Sequence, residues 1–427
     1  TATLVVSAWA LGVLNSHRRF FLSYVAPVVW NLAIIAAAGW ALASFGAADG
    51  ASPIEAVTGP LTGLATGALI GGVLQLAVQL PTVLSLLAGL RVSLGRGVEG
   101  VREAIRNFGP VVLARGVVNL SALLDVALAA ALAGGAISLL SRAQMLYLLP
   151  ISLFGMAIAA SELPELSRAG PGGEGERVVA ERVRAALRSV LRWLVPSTIA
   201  YLLFGDLLIA ALLERGGWGP DDSRAAGWVL AAYALGLSAS GSSRTLTSAF
   251  YALRDTRTPA RIAIVRVGVS LAVGAALMFP FDGFAVGADG GWVTAGGAGE
   301  PDTLAGASGA AASGMIRLGA VGLALGAAAG AWLEFVLLRR ALGRRIGAHG
   351  PGVGAVLRLL VAGALAGIAA AAVRTPLLAA GASLADRPAL APWGGDHLLL
   401  GGVLLLIFGG VWFGVLRVLE RDRTGAR

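Results

Sequence analysis

Five arginines stand inside apolar stretches of this sequence: Arg115, Arg142, Arg244, Arg317 and Arg358. A guanidinium stays charged, offers five donors in a planar fork, and can hold two oxygens of one phosphate or carboxylate. At bilayer depth such a group is expensive and faces either a cavity or a partner. The chemistry open to these residues is therefore oxyanion binding or internal ion pairing. Asp125 follows Arg115 on the same stretch, ten residues on, so the two side chains point in different directions from one helix. Arg317 and Arg358 fall near span ends, where the expectation is that they snorkel to the interface. Asp206 and Glu334, also near span ends, and Glu162 and Glu165, near an exit from the membrane, read as interfacial.

Other chemistries lack their residues. Cysteine is absent, which removes disulfides, thiolate metal sites and thiol nucleophiles. His17, His349 and His397 are too far apart in sequence to form a helical or loop metal pattern, so no metal site is expected. All 33 basic residues are arginine, and a chain without lysine has no phosphate-binding loop of the ATPase kind. Pro171-Gly172-Gly173 reads as a loop rather than a phosphate cradle, and no Ser/His/Asp constellation can be argued. The expectation is a protein that is not an enzyme and carries no cofactor.

The elements that must position these arginines follow from composition. Of 427 residues 57% are hydrophobic and 13% charged, more apolar surface than a water-soluble domain can hide but surface that a bilayer solvates. Spans of ~20 mostly apolar residues recur along the whole chain. Candidate helices lie near 3–15 (partial), 21–44, 61–90, 107–133, 136–164, 189–213, 225–252, 260–280, 315–338, 355–380 and 397–418. The fold class read from this is an all-α, polytopic transmembrane bundle of about eleven helices. Prolines such as Pro81, Pro150 and Pro196 kink membrane helices rather than end them. The Gly-, Ala- and Asp-rich stretch 281–312 reads as a flexible external loop. The chain opens at Thr1 part-way into an apolar run, without a signal peptide, which suggests a piece of a longer protein.

Arginine placement orients the bundle. Alternate connections at 16–20, 91–106, 166–192, 254–266, 339–345 and 417–427 hold 24 Arg and 8 Asp/Glu. The opposite connections at 44–60, 134–136, 214–224, 280–314 and 374–396 hold 4 Arg and 11 Asp/Glu. Basic loops are retained in the cytoplasm, so the first set, with the C-terminus, is expected there. A net charge of +9 thus reports topology and not nucleic-acid binding. Within 177–192, five arginines among Val, Ala and Leu read as a basic amphipathic stretch lying along the anionic inner leaflet. Gly59, Gly63, Gly67 and Gly71, and again Gly322, Gly326 and Gly330, repeat every four residues, a spacing that suits close helix packing within the chain.

Several motifs in order resemble the MurJ/MviN family of the multidrug/oligosaccharidyl-lipid/polysaccharide exporter superfamily. They are Gly12-Val-Leu-Asn15-Ser16 with Arg19-Phe20, Ala26-Pro27 and Asn31; Gly71-Gly72-Val73-Leu74-Gln75-Leu76 with Gln79-Leu80-Pro81; and Gly109-Pro110. Pro150, Gly155, Leu163-Pro164-Glu165-Leu166-Ser167, Phe250-Tyr251-Ala252, Asp255 and Thr258-Pro259 follow in the family's order. The resemblance implies two facing six-helix lobes and two extra helices, with the first lobe incomplete. On that division 1–102 is the remnant of the N-terminal lobe, 103–347 the C-terminal six-helix lobe, and 348–427 the extra pair with a cytoplasmic tail.

The resemblance further implies flipping of lipid-linked peptidoglycan precursor across the bacterial cytoplasmic membrane by alternating access, with a cationic cavity for the diphosphate headgroup. The partners implied are an undecaprenyl-pyrophosphate-linked disaccharide-peptide, membrane lipids and wall-synthesis proteins, and no nucleic acid. Arg244 aligns with a basic residue of the family's tenth helix; its alternative role is to pair with a helix neighbour. The family's cavity arginine in Ala-Asp-Arg is replaced here by Ala143-Gln144-Met145, and Arg142 lies three residues before Met145, within reach of the same cavity. Arg115 reads as cavity lining or as a structural charge, and Asp125 as an acidic partner for a cavity arginine. A sodium site is not expected, because Ser270 and Gly274 supply weak or no ligands. Two further readings stay open: another exporter of the same superfamily, moving a different lipid-linked oligosaccharide, and a non-transporting scaffold of the wall-synthesis machinery.

Overall fold

Long apolar runs without water-facing periodicity become helices, because a helix satisfies every backbone group internally where no water can. The structure, a computed structural model, describes residues 2–17, 19–45, 53–87, 108–109, 112, 116, 120–121, 123–132, 135–156, 173–214, 217–287, 292–294, 316–385 and 395–421. Its α-helices are α1 (Ala2–Ser16), α2 (Phe20–Phe45), α3 (Pro53–Leu86), α4 (Ala136–Pro150), α5 (Gly173–Leu213), α6 (Pro220–Ala234), α7 (Leu237–Ala252), α8 (Arg257–Asp282), α9 (Gly319–Ile346), α10 (Val353–Ala385) and α11 (Gly395–Arg421). A π-helical turn, Ile151–Met156, continues α4. Eight membrane-length apolar segments lie on α2, α3, α4 with its π turn, α5, α8, α9, α10 and α11. Arg115, Glu162, Glu165 and His397 lie outside the residues whose side chains are described.

The chain divides into two compact units, Thr1–Glu99 and Gly100–Arg427. In the first, α3 packs on α1 and α2. A Cβ at Gly63, Gly67 or Gly71 would fall 2.3 to 2.6 Å from Ala41, Ala37 or Trp30 of α2, so this glycine repeat serves helix contact inside the chain. On the other side of α3, buried Gln79 accepts a 2.9 Å hydrogen bond from Ser7 of α1.

In the second unit α8 and α9 lie against each other along their length, seamed by Gly322, Gly326 and Gly330. A Cβ at Gly326 would meet the Gly274 backbone at 2.5 Å. A core of Leu139, Ala143, Leu146, Leu194, Leu230, Leu237 and Leu323 joins α4, α5, α6, α7 and α9. Helices α10 and α11 pack on each other and on α5. Their shared core holds Phe204, Ala362, Ala366, Phe408 and Trp412.

Helix irregularities in this unit come with side chains that take up freed carbonyls. Pro150 has no N–H for the Leu146 carbonyl, and the Tyr201 hydroxyl donates to it instead at 2.7 Å. The apolar run 225–252, expected as one helix, is two, broken at Leu235 and Gly236. There Trp332 Nε1 donates to the Leu235 carbonyl at 2.8 Å, and Gly236 lets Ala328 of α9 approach to a distance no Cβ would permit. Phe204 leaves helical geometry inside α5, and Arg374 donates to the Leu203 carbonyl at 3.0 Å while pairing with Asp206.

Four further expectations change. The stretch 281–312 begins as an antiparallel hairpin, β1 (Phe284–Val286) with β2 (Trp292–Thr294), whose Trp292 contacts Trp228 and Phe281. The apolar stripe of segment 177–192, expected to meet lipid, is covered by protein. The segment is the first half of α5, and Val179, Val183 and Leu187 are buried against Leu246, Phe250, Leu338 and Leu342 because α7 and α9 offer an apolar surface to the same stripe. Arg317 does not snorkel but pairs with Asp282 at 3.2 Å. Glu334 is an ion-paired side chain within α9, which runs on to Ile346, and Asp206 of α5 is paired with Arg374 of α10, which continues helically to Ala385.

Candidate functional site

Two clusters of charge and hydrogen-bonding groups stand out among the described residues of the second unit, and the described candidates Arg142, Arg244 and Asp125 fall in them. The first surrounds Arg142. It sits on the second turn of α4, which starts after Gly135, a residue in left-handed backbone geometry (φ 97°). The Arg142 guanidinium lies over the Trp218 ring, 4.4 Å from its centroid. Trp218 is held in turn by its indole N–H, which donates to Ser223 Oγ at 3.1 Å. Arg142, Trp218, Ser138, Asp222 and Ile316 line a cavity of about 460 Å³. Asp222 spends one carboxylate oxygen on the Gly219 N–H at 2.9 Å, closing the first turn of α6. Among the described residues Arg142 has no carboxylate within salt-bridge distance. Stacking covers one face of the guanidinium and leaves its N–H edge to bind an oxyanion.

The second cluster centres on Tyr147, five residues further along α4. Its hydroxyl shares a 2.7 Å hydrogen bond with Ser240 of α7, and its ring stacks on Tyr233 of α6 at 5.2 Å. Arg244, one helical turn after Ser240, and the pair Arg266 and Glu334 lie close enough to act on that hydroxyl electrostatically. Arg266 and Glu334 are 2.7 Å apart, joining α8 to α9, with side chains 34% and 12% exposed. Asp125, in the helical residues 123–130, feels the charge of Arg266 and acts on Tyr233. The chemistry offered is a polar cluster of two stacked phenols, a hydroxyl, two guanidiniums and two carboxylates, tied by the Tyr147–Ser240 hydrogen bond and the Arg266–Glu334 ion pair.

The structure thus brings Arg244 and Asp125 into one neighbourhood and sets Arg142 nearer the α5–α6 connection. Met145, where the family pattern has an arginine, is 62% exposed. Sequence reasoning missed Arg266, Glu334, Tyr147, Tyr233 and Trp218. A signal for the second cluster was legible around Arg244, because Ser240, Ser242, Ser243 and Thr245 make α7 the most hydroxyl-rich stretch of its apolar surroundings. Among the described residues no group of three His, Asp or Glu could hold a metal ion.

The sequence model of the family described as lipid II flippase MurJ matches residues 2–294. A probable lipid II flippase MurJ of Rhizobium tropici is 31% identical over 281 residues, 65% of this chain and 50% of the relative. A lipid II flippase MurJ of Burkholderia cenocepacia is 32% identical over 259 residues, 60% of this chain and 48% of the relative. The chain therefore spans about half the length of the curated relatives it matches. A solved structure titled lipid II flippase MurJ, inward closed conformation, superposes with a TM-score of 0.61 at 18% identity, covering 97% of this chain and 72% of that one, which shows a shared fold. With its eight membrane-length segments the chain is a multi-pass inner-membrane protein, and it belongs to the lipid II flippase MurJ family.

Proposed function

We propose that this chain supplies part of a flippase that carries an undecaprenyl-pyrophosphate-linked disaccharide-peptide from the inner to the outer leaflet, for cell-wall synthesis. The observation that carries this reading is Arg142. It lines a cavity, rests on an indole face, and has no carboxylate partner among the described residues. A diphosphate carries the charge and the paired oxygens that such a guanidinium binds. Arg244, in the neighbouring polar network, is the second headgroup contact, with Arg115 a third and Asp125 their acidic partner. Alternating exposure of the site would move the headgroup, and a transmembrane potential acting on the charges supplies a driving force.

In the same reading 103–347 is the C-terminal six-helix lobe, 1–102 belongs to the N-terminal lobe, and 348–427 forms the extra pair ending in the cytoplasm. Wall-synthesis proteins are its further partners. The test is growth of a strain depleted of its own flippase and carrying the gene that encodes this chain. Arg142→Ala and Arg244→Ala are each expected to abolish rescue while the protein still accumulates in the membrane. Normal growth of both variants would remove the headgroup assignment.

A further inference from the structure

A second cavity, of about 440 Å³, opens between α5, α10 and α11, where α10 begins and α11 ends. Three guanidiniums, of Arg188, Arg192 and Arg358, face it, against the single carboxylate of Glu420. Arg192 is already engaged, 3.0 Å from Glu420. Among the described residues Arg188 and Arg358 have no acidic partner, so the cavity keeps an excess of positive charge. Its inner wall is hydrocarbon, with buried Leu359 and Leu416. Outside it, the exposed face of α10 continues as Val353, Leu357, Leu360 and Val361, an apolar track running from the cavity mouth into the membrane span.

We propose that this cavity is a binding site for the phosphate headgroup of an anionic membrane lipid, distinct from the Arg142 and Arg244 clusters. Two guanidiniums without an acidic partner among the described residues supply, at the membrane-water boundary, charge-assisted hydrogen bonds to phosphate oxygens. The apolar track along α10 accommodates the acyl chain, which a soluble phosphate lacks. The occupant bridges α5 to the α10–α11 pair at the end where their contacts finish. Lipid retention here does not depend on translocation, so this proposal and the flippase reading can fail separately.

The experiment measures phosphatidylglycerol and phosphatidylcholine retained by the whole chain in neutral detergent, using native mass spectrometry. Phosphatidylglycerol is expected to be retained and phosphatidylcholine lost. Arg188→Gln with Arg358→Gln should weaken phosphatidylglycerol retention about thirtyfold, and millimolar inorganic phosphate should not displace the lipid. Glu420→Gln, which frees Arg192, should strengthen retention, a gain that misfolding cannot produce. Unchanged retention in the double arginine variant, no gain in Glu420→Gln, or displacement by inorganic phosphate would each overturn the proposal.

Discussion

Arg266 of α8 and Glu334 of α9 meet at 2.7 Å in the middle of the two helices, 68 residues apart in sequence. The glycine seam of Gly322, Gly326 and Gly330 brings the helix backbones together beside them, and Gly330 lies against the Arg266 main chain. Backbone proximity fixes where the two charges stand. The pair then neutralises groups that neither water nor lipid would solvate well.

Removing one partner of this pair should cost more than removing both. Glu334→Gln leaves Arg266 uncompensated and is expected to lower stability by about 2 kcal/mol, below the full value for a buried pair because Arg266 is one-third exposed. Arg266→Gln combined with Glu334→Gln should recover part of that loss. Thermal denaturation of the detergent-solubilised protein, followed by loss of the monodisperse species, checks the order. A double variant no more stable than Glu334→Gln would contradict it.

The helix seam predicts a contrast between two glycines. Gly326→Ala pushes a methyl into the Gly274 backbone and should destabilise by about 1–3 kcal/mol. Gly268→Ala, on α8 but with nothing within 4 Å, should be neutral or stabilise by up to about 1 kcal/mol. The same denaturation measurement reads both.

His349 provides a pH signature in the connection between α9 and α10. It is buried, its Nδ1–H donates to the Gly347 carbonyl at 2.8 Å, and its Nε2 has no partner among the described residues. Burial, aided by nearby Arg339 and Arg184, holds its pKa below the ordinary value near 6.5, against a smaller opposing effect of the Gly347 hydrogen bond. A depressed imidazole is neutral in the folded chain, so its penalty is absent above the ordinary value. Stability should fall as pH drops below about 6.5, where the unfolded chain takes up a proton that the folded chain refuses. His349→Gln should flatten that part of a stability-pH profile measured between pH 5 and 8.

Much of this architecture was legible from hydropathy, because a membrane helix advertises itself by length and apolarity. What was hidden has specific causes. Arginine-bearing turns at the start of α8 and the end of α9 remain helical beyond the apolar stretch, so Arg266 read as a loop residue and Glu334 as interfacial. The break at Leu235 and Gly236 sits inside continuous apolar sequence, and its cause, the approach of Ala328, comes from another helix. The amphipathic stripe of 177–192 was seen, but a stripe does not say whether lipid or protein covers it. At the candidate site, residue types pointed to Arg142 and Arg244, whereas the Trp218 platform and the Tyr147 network arise only from tertiary contact.

Orientation is open to a direct check. A fluorescent protein fused after Arg427 should fold and fluoresce in the cytoplasm, whereas alkaline phosphatase inserted after Gly287 should be active outside it. Activity of the phosphatase fused after Arg427, or its inactivity after Gly287, would reverse the topology.

The headgroup assignment is tested most directly by binding. The chain, titrated with an undecaprenyl-pyrophosphate-linked disaccharide-peptide and with undecaprenyl monophosphate, should prefer the diphosphate. Arg142→Ala and Arg244→Ala should each weaken diphosphate binding by at least about tenfold, since a charge-assisted hydrogen bond is worth about 1.5–3 kcal/mol. Equal affinity for the two lipids, unaltered by either substitution, would contradict a diphosphate held by these arginines.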